Sequence, residues 1–367
     1  GTVNVNFGQP IYLTEFLDGT LPGWEDPASI DKNHFSAACY RLGHEITTSI
    51  NRAAAVNPVN LVALILLATP KQTIEETSLK QHIEVLLKLL RSVPLCEGIT
   101  VTHLSVDEII EQVEKISLIQ RATYPYGDIL SVQGDAAILM TYYRNNISHL
   151  LALPSLIGRL IKTDPGLTLD SLLGRASRLY PFLKSEFFLP WSLHTMESIC
   201  QHIIDAMVDI GLAVRRGSSL HSPPPMTPEF ASLTVLAQII EPTLQRFFIA
   251  CSLLNESHTL SLTKDLLESA CHNIARNISA LYGINAPEFF ERSLFSTFLA
   301  TLAELKKLET TAGILAVSED FDQISAAIDP ILESDFRYGV LQALRHITTE
   351  STTDTHQTDL ISLAERS

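Results

Sequence analysis

An otherwise apolar helical pattern over residues 137–155 is interrupted by polar side chains that could build a hydrogen-bond network or bind a ligand. Arg144 and Asn145 are neighbours in sequence, while Asn145 and His149 lie one helical turn apart and share a face. Because buried polar groups are normally satisfied by protein neighbours, this arrangement favours an internal network over a ligand site. The candidate residues are Tyr142, Tyr143, Arg144, Asn145, Asn146 and His149.

Sequence motifs of common enzyme classes are missing from the chain. His44-Glu45 is followed by Thr48 where a metalloprotease helix needs its second histidine, and no G-x-S-x-G, P-loop or G-x-G-x-x-G pattern occurs. Five scattered cysteines without a C-x-x-C pair predict reduced core thiols in a cytosolic compartment rather than disulfides or a zinc site. Cys96 has no basic neighbour that would favour its thiolate, so we expect it to be inert. The sequence therefore predicts neither a metal site nor a cofactor.

Charge and hydrophobicity restrict the partners of the chain. Its 367 residues carry a formal net charge of −15 at pH 7, and the longest basic run is the pair Arg215-Arg216. Nucleic-acid-binding faces show clustered Lys and Arg, so no nucleic-acid partner is predicted. The longest apolar run, residues 61–68, is much shorter than the roughly 20 residues of a membrane-spanning helix. Any contact with a membrane is therefore expected to be peripheral.

Helical periodicity dominates the chain and predicts a mainly α-helical fold with small β-hairpins. Capping boxes at residues 73–76 and 105–108 each predict the start of a helix. Pro154 lacks an N–H group and is expected to end or kink the central helix. Hairpins are predicted over residues 118–134, with a turn at 125–128, and over residues 212–221. Further helices are predicted at about residues 35–55, 60–69, 169–179, 196–210, 227–254, 263–282, 287–308 and 321–347, with a break near Pro330 and a strand at 314–317.

Three consecutive prolines, Pro223 to Pro225, force an extended chain and predict a boundary between subdomains. Two helices and a hairpin precede this boundary and indicate a winged-helix-like unit, whose turn at Arg215-Arg216 we interpret as solvent-exposed. The predicted division is residues 1–24 as a domain end and linker, 25–165 as a helical subdomain with a hairpin, 166–222 as the winged-helix-like unit, 223–347 as a C-terminal helical subdomain, and 348–367 as a flexible tail.

Four stretches of the sequence resemble one protein family. Val3 and Val5 alternate with asparagines as in a short strand, which stops at the tetrapeptide Phe7-Gly8-Gln9-Pro10. This tetrapeptide, together with residues 50–61, 140–156 and 283–290, resembles the bacterial membrane-associated glycerol-3-phosphate 1-O-acyltransferases in the half that follows their active site. The resemblance implies that the first dozen residues are the last strand of an α/β acyltransferase domain that lies upstream, and that the chain is a fragment.

The reaction implied by the resemblance is transfer of a fatty acyl group from a coenzyme A or acyl-carrier-protein thioester to glycerol 3-phosphate. A hydroxyl is a poor nucleophile at neutral pH and needs a general base, which the family supplies from a His-x-x-x-x-Asp pair. None of the twelve histidines has an aspartate five positions on, and His103 has Asp107 only four positions on. The family's arginine-rich phosphate block is absent as well. We therefore assign no catalytic residue and predict that the chain alone is inactive.

The leading hypothesis is a non-catalytic C-terminal region that supports an acyltransferase domain. The implied partners are that upstream domain, acyl-CoA or acyl-carrier protein through it, and the cytoplasmic face of the bacterial inner membrane. The Arg144 cluster would then brace the catalytic pocket, although an internal helix–helix network is favoured. Residues 150–162 fit either a helix in the membrane interface or, preferably, a buried helix. The alternative function is a stand-alone helical module that binds partner proteins and has no enzymatic role.

Overall fold

The computed structural model describes residues 5–353, except residues 27, 29, 94, 95, 97, 133, 135, 257–260 and 285. Within this part of the chain the fold is mainly α-helical, as predicted. The helices are α1 Leu13–Thr20, α2 Lys32–Arg52, α3 Pro58–Leu67, α4 Glu76–Ser92, α5 Val106–Lys115, α6 Ala136–Thr163, α7 Leu169–Phe187, α8 Leu193–Asp209, α9 Pro228–Gln238, α10 Glu241–Asn255, α11 Lys264–Tyr282, α12 Arg292–Glu304, α13 Asp322–Ile328 and α14 Ser334–Thr353.

Ten short strands form four small sheets within the described residues. The strands are β1 Ala55–Val56, β2 Thr73–Glu75, β3 Thr100–Val101, β4 Ile119–Tyr124, β5 Gly127–Val132, β6 Leu167–Thr168, β7 Val214–Arg216, β8 Ser219–His221, β9 Leu308–Thr311 and β10 Ile314–Val317. β1 and β3 pair in parallel, whereas the sheets β2-β5-β4, β6-β8-β7 and β9-β10 are antiparallel. The hairpins β4-β5 and β7-β8 confirm the two predicted hairpins, and β10 confirms the predicted strand at residues 314–317. Arg215 and Arg216, which were predicted in the turn of the second hairpin, lie instead in β7 and pair with Leu220 and Ser219.

Helix α6 is the centre of the fold, and its most extensive contacts are with α3 and α9. Every residue from Leu150 to Ile161 is buried, so the burial interpretation of this segment is confirmed and a position in a membrane interface is ruled out. Gly158 allows the close packing of α9, since a Cβ atom at this position would lie 3.1 Å from Leu233 Cδ1. Within the described residues, no helix has both the length and the apolar character needed to cross a membrane.

Pro154 does not end the central helix, so of the two predicted outcomes, an end or a kink at this residue, the end is wrong. Helix α6 continues for nine residues beyond it, to Thr163. An internal proline costs a helix about 3 kcal/mol, because a hydrogen bond is lost and the ring crowds the preceding turn. The residues around Pro154 are buried on every side, and packing of this kind outweighs a local preference. Next to it, Ser155 Oγ accepts a hydrogen bond from the Ile240 amide at 3.3 Å and so ties α6 to the start of α10.

The two predicted capping boxes have different outcomes. Ser105 and Glu108 form the predicted box at the start of α5. The prediction at residues 73–76 is wrong, because Thr73 lies in β2, opposite Ser131 of β5, and Glu75 is the N-cap residue of α4. The Glu75 carboxylate accepts hydrogen bonds from the Thr77 and Ser78 amides, each at 3.0 Å. Because residues 73–75 pair with β5 as strand β2, helix α4 begins at Glu76, later than the predicted box would place its start.

Several helix boundaries also differ from the predicted ones. The segment predicted as one helix at residues 227–254 is divided into α9 and α10 at residues 239–240. The segment at residues 287–308 begins with a 3-10 turn, Pro287–Phe290, continues as α12 and ends in β9; the predicted N-cap residue Asn285 lies outside the described residues. Helix α14 extends to Thr353, so the tail predicted from residue 348 is helical in its first part, and residues 354–367 lie outside the described part of the chain.

The predicted N-terminal strand is not present in the described residues. Residues 5–12 have no strand structure, and Val3 lies outside the described part of the chain. Asn6 instead donates a hydrogen bond to Thr100 Oγ1 at 3.0 Å, beside the β1-β3 sheet. The predicted subdomain boundaries stay predictions. The buried hydrophobic residues form one continuous cluster from Val56 to Leu344, which extends across the predicted boundary at residues 222–223.

Candidate functional site

Arg144 and His149 of α6 lie at a junction of several helices. The Arg144 guanidinium forms an ion pair with Glu288 of the 3-10 turn and donates hydrogen bonds to Asn145 Oδ1 at 3.1 and 3.2 Å. His149 Nε2 lies 3.0 Å from the Asn51 carbonyl oxygen at the end of α2. Burial lowers the pKa of His149 to about 4, so the ring is neutral at pH 7 and Nε2 donates its hydrogen to this carbonyl. These contacts join α6 to an early and a late part of the chain.

The remaining predicted residues contribute less to this junction. The Tyr143 carbonyl accepts a hydrogen bond from Asn60 Nδ2 at 2.7 Å, and Asn60 itself belongs to the capping box that starts α3. Tyr142 is 67% exposed, and Asn145 and Asn146 are also exposed. The structure therefore brings Arg144, His149 and the backbone of Tyr143 into cross-helix contacts and leaves the side chains of Tyr142, Asn145 and Asn146 at the surface.

A second buried arginine, which the sequence reasoning missed, lies beside Arg144. Arg246 of α10 is only 3% exposed and forms an ion pair with Glu186 of α7 through Nη2. Thr243 Oγ1 accepts a hydrogen bond from Arg246 Nη2 at 3.0 Å and donates one to Glu186 at 2.7 Å. The available sequence signal was an arginine in an otherwise apolar helix, the same signal that identified Arg144.

The two arginines line one open cleft of about 390 Å³. Burial, together with repulsion by the Arg246 guanidinium, lowers the pKa of Arg144 to about 10, so Arg144 stays positively charged at pH 7. Glu186, Glu288 and Glu291 supply the opposite charge, and Phe187, Phe188, Ile239 and Leu294 form apolar walls. A second cavity, of about 670 Å³, lies between the N-terminal segment and α2 and shares Asn51 and Asn145 with the first.

The cleft holds charged groups but no nucleophile activated by a base. The neutral His149 is engaged with a backbone carbonyl rather than with a carboxylate, which a catalytic histidine needs for its orientation. The Ser–His contact between His82 and Ser232, 2.9 Å long, is formed by side chains that are only 5% and 4% exposed, so a substrate cannot reach it. Across the described ranges, no three His, Cys, Asp or Glu side chains are grouped to hold a metal ion.

The cysteines agree only in part with the prediction of core thiols. Cys200, Cys251 and Cys271 are buried, and burial raises the pKa of each thiol, to about 12 for Cys200 and Cys251. Cys96 is half-buried, and burial raises its pKa more than the nearby Arg52 guanidinium lowers it, which keeps the unreactive thiol form at pH 7. The prediction that Cys96 has no basic neighbour is therefore wrong for the folded chain. Cys39 is exposed on α2, so the prediction is wrong for this residue.

Comparison with known proteins identifies the family. The family model described as "Glycerol-3-phosphate acyltransferase C-terminal region" matches residues 1–311. Glycerol-3-phosphate acyltransferases of Pseudomonas syringae pv. tomato and Pseudomonas fluorescens (strain SBW25) are each 36% identical to the chain, over 351 and 352 residues that cover 94% of it. That of Pseudomonas aeruginosa (strain UCBPP-PA14) is 35% identical over 347 residues, 93% of the chain. In each case the chain spans 42% of the relative's length. The chain belongs to the family of glycerol-3-phosphate acyltransferase C-terminal regions.

Proposed function

We propose that the chain is the non-catalytic part of a glycerol-3-phosphate acyltransferase and supports the acyltransferase domain of the same protein. The observation that carries this proposal is a match to the C-terminal-region family over residues 1–311 of a sequence that has no His-x-x-x-x-Asp pair. In the complete protein, acyl-CoA or acyl-carrier protein would deliver the acyl group to the acyltransferase domain. The site of action would be the cytoplasmic face of the bacterial inner membrane, with peripheral attachment.

An exposed apolar face of α2 supports docking of that domain. Helix α2 has 21 residues, but only Ala38 and Thr48 are buried. Phe35, Ile46 and Ile50 are 53%, 45% and 65% exposed, and at 100° per residue they lie within about 60° of one another on the helix. An aligned row of exposed apolar side chains is typical of an interaction surface. We name these three residues the α2 face.

The N-terminal segment extends the same surface. Phe7 is 91% exposed and Tyr12 is 62% exposed, on the segment that precedes α1. Val5, Ile46 and Ile50 together line the cavity of about 670 Å³. This cavity opens next to Asn51 and Asn145, so a domain that covers the α2 face would also contact the outer side of the Arg144 junction. The junction would then hold the docking surface rigid, which is the bracing role we propose for it.

The proposal is tested with a chimaera in which the chain replaces the matching C-terminal part of the P. syringae relative. We expect the chimaera to transfer acyl groups from acyl-CoA to glycerol 3-phosphate and the isolated chain to show no turnover. Replacing Phe35 and Ile46 with Asp should lower turnover by the chimaera, because charged side chains on the α2 face would lose their hydration if the acyltransferase domain docked there. The contact between the two domains should then also become accessible to protease. The matched control is Tyr126→Asp, at a position that is 100% exposed in the β4-β5 turn.

The melting temperature of the isolated double variant separates docking from folding. An unchanged melting temperature with lost turnover supports docking through the α2 face. Full activity of the double variant would contradict it. Turnover by the isolated chain would instead refute the non-catalytic assignment, and a chimaera that folds but is inactive would favour the alternative of a stand-alone interaction module.

A further inference from the structure

Gly43 is an exposed glycine in the middle of α2 that the packing of the chain does not explain. A Cβ atom at this position would meet no other described atom within 4 Å, and the φ angle of Gly43 is negative, as in an ordinary helix. Glycine destabilises a helix interior relative to alanine, because its backbone loses more conformational freedom on folding. Neither close packing among the described residues nor backbone geometry therefore requires a glycine at position 43.

Gly158 of α6 shows what a glycine inside a helix does elsewhere in this fold. There α9 packs so closely that a Cβ atom would lie 3.1 Å from Leu233 Cδ1. Gly43 has apolar neighbours on its own helix, since Cys39 lies four residues before it and Ile46 three residues after it, and both are exposed. The surface around Gly43 therefore has the composition of a contact between two helices.

A ridge of large apolar side chains runs beside Gly43. Leu42, Ile46 and Ile50 follow one another at intervals of four residues, and Ile46 and Ile50 lie three and seven positions after Gly43, on the same side of the helix. Two helices pack by placing the ridges of one into the grooves of the other, with their axes about 8–10 Å apart, and the closest approach requires small residues at the contact. Because Gly43 supplies such a residue beside a ridge, the element that this surface fits is a second helix.

Charge restricts the kind of helix that fits. Arg41 and Glu45, the charged residues in the middle of α2, lie at least about 120° from Cys39 around the helix, so they point away from the contact. A charged side chain on the partner would find no opposite charge there and would lose its hydration, which is costly. The partner helix must therefore present an apolar and uncharged face.

The N-terminal segment shows where the rest of a complete protein approaches. Val5 lines the same cavity as Ile46 and Ile50, and a Cβ atom at Gly8 would lie 3.2 Å from the Ser49 carbonyl oxygen, so this segment packs directly against α2. The chain spans 42% of the length of its P. syringae relative and matches the C-terminal region, so the larger part of that relative precedes the matched region. In a complete protein of this kind, that larger part joins the chain beside the α2 face.

We propose that a helix of the upstream acyltransferase domain packs across α2 at Gly43, with an apolar, uncharged face against Ile46 and Ile50. This inference rests on the proposed function, which supplies the upstream domain, and it adds the kind of element that docks and the point of closest approach. Cys39, one turn before Gly43, is covered by the same contact.

Cys39 provides a natural reporter of the contact, because its thiol is exposed in the isolated chain. The rate of its reaction with a maleimide, measured by mass spectrometry of the peptide that contains it, is compared between the isolated chain and the chimaera described above. We expect Cys39 to react at least about tenfold more slowly in the chimaera, since a covered thiol reacts only when the contact opens.

Gly43→Leu tests the point of closest approach, and its effects on the isolated chain and on the chimaera should have opposite signs. In the isolated chain it should raise the melting temperature by about 1–2 °C, because leucine is the better helix former and its Cβ atom meets no neighbour within 4 Å. In the chimaera it should restore fast labelling of Cys39 and lower turnover by about tenfold or more, because the added side chain holds the partner helix away.

Gly174→Leu is the matched control. Gly174 is an exposed glycine of α7 whose Cβ atom would also meet nothing within 4 Å, but its neighbours at helical spacing are polar, namely Asp170, Ser171 and Arg178. This variant should raise the melting temperature of the isolated chain like Gly43→Leu, and it should leave both turnover and Cys39 labelling of the chimaera unchanged.

The failure of this inference is distinguishable from the failure of the proposed function. An active chimaera in which Cys39 reacts as fast as in the isolated chain, or in which Gly43→Leu changes neither labelling nor turnover, would overturn the helix contact and leave the supporting role intact. Protection of Cys39 that Gly43→Leu abolishes in a chimaera without turnover would support the contact and refute the supporting role. Protection in the isolated chain that increases with its concentration would assign the surface to a second copy and overturn the inference.

Discussion

Replacement of Arg159 by Leu should destabilise the chain strongly, because this arginine is the most deeply buried charge of helix α6. Its side chain is 1% exposed, and its two Nη atoms donate to the Glu241 carboxylate at 3.0 Å each. Nε donates to the Ile331 carbonyl oxygen. The side chain therefore links the centre of the fold to α10 and to the segment before α14.

The expected loss in the free energy of unfolding comes mainly from the Glu241 carboxylate, which remains without its partner after the substitution. Removing one partner of a buried ion pair typically costs 3–5 kcal/mol, mainly because the other charge is left unpaired. Glu241 is 14% exposed and also accepts from Gln245 Nε2 at 3.4 Å, so water and this amide offset part of the penalty. We therefore expect the free energy of unfolding to fall by about 3 kcal/mol, the lower end of that range.

Urea unfolding followed by circular dichroism measures this loss, and a double-mutant cycle identifies its cause. Arg159→Leu combined with Glu241→Leu should recover about 2 kcal/mol, since no unpaired carboxylate remains. Arg215→Leu breaks an exposed pair, 45% and 52% exposed, and should change stability by less than about 1 kcal/mol. A single variant that loses less than about 1 kcal/mol, or a double variant no more stable than the single, would refute the argument that an unpaired buried charge dominates.

Three further outcomes are expected. Burial lowers the pKa of His82 and of His149 to about 4, so each ring stays neutral in the folded chain while it protonates near pH 6.5 in the unfolded chain. The free energy of unfolding should therefore fall as the pH drops from 6.5 to 4. Urea titrations across this window should show a shallower fall for the His149→Gln variant. Ser105→Ala should cost about 1 kcal/mol by removing the N-cap of α5, whereas Ser92→Ala, at the other end of a helix, should cost much less; equal losses in urea unfolding would contradict the capping argument. Gly158→Val should cost about 1–3 kcal/mol by forcing α9 away from α6, and an unchanged melting temperature would show that Leu233 can yield without cost.

Local sequence patterns were sufficient to predict those elements whose hydrogen-bonding partners are close together in the sequence. The capping box of Ser105 and Glu108 uses groups three residues apart, and the β4-β5 hairpin joins adjacent segments, so both were predictable. Gly211 at the end of α8 has a φ of 81°, a conformation that glycine adopts without strain, which is why it marks the helix end. Family-wide similarity likewise needs only the order of residues along the chain.

Features that depend on distant partners were not predictable from these patterns. Thr73 matched the pattern of a helix cap, but its segment pairs with β5, which lies more than 50 residues later in the sequence. Pro154 was predicted to end or kink α6, but the helix continues through a buried segment to Thr163. In both cases a tertiary contact is worth more than the local preference that it overrides.

The candidate site shows the same division. The sequence by itself identified Arg144 and His149 as polar residues in an apolar helix, because such residues need partners when they are buried. Only the tertiary structure decided that those partners are Glu288 and the Asn51 carbonyl, and that Arg246 lies alongside with unpaired donors. The physical reason is that periodicity reports which side of a helix is buried, whereas the identity of a partner depends on chain segments that meet only after folding.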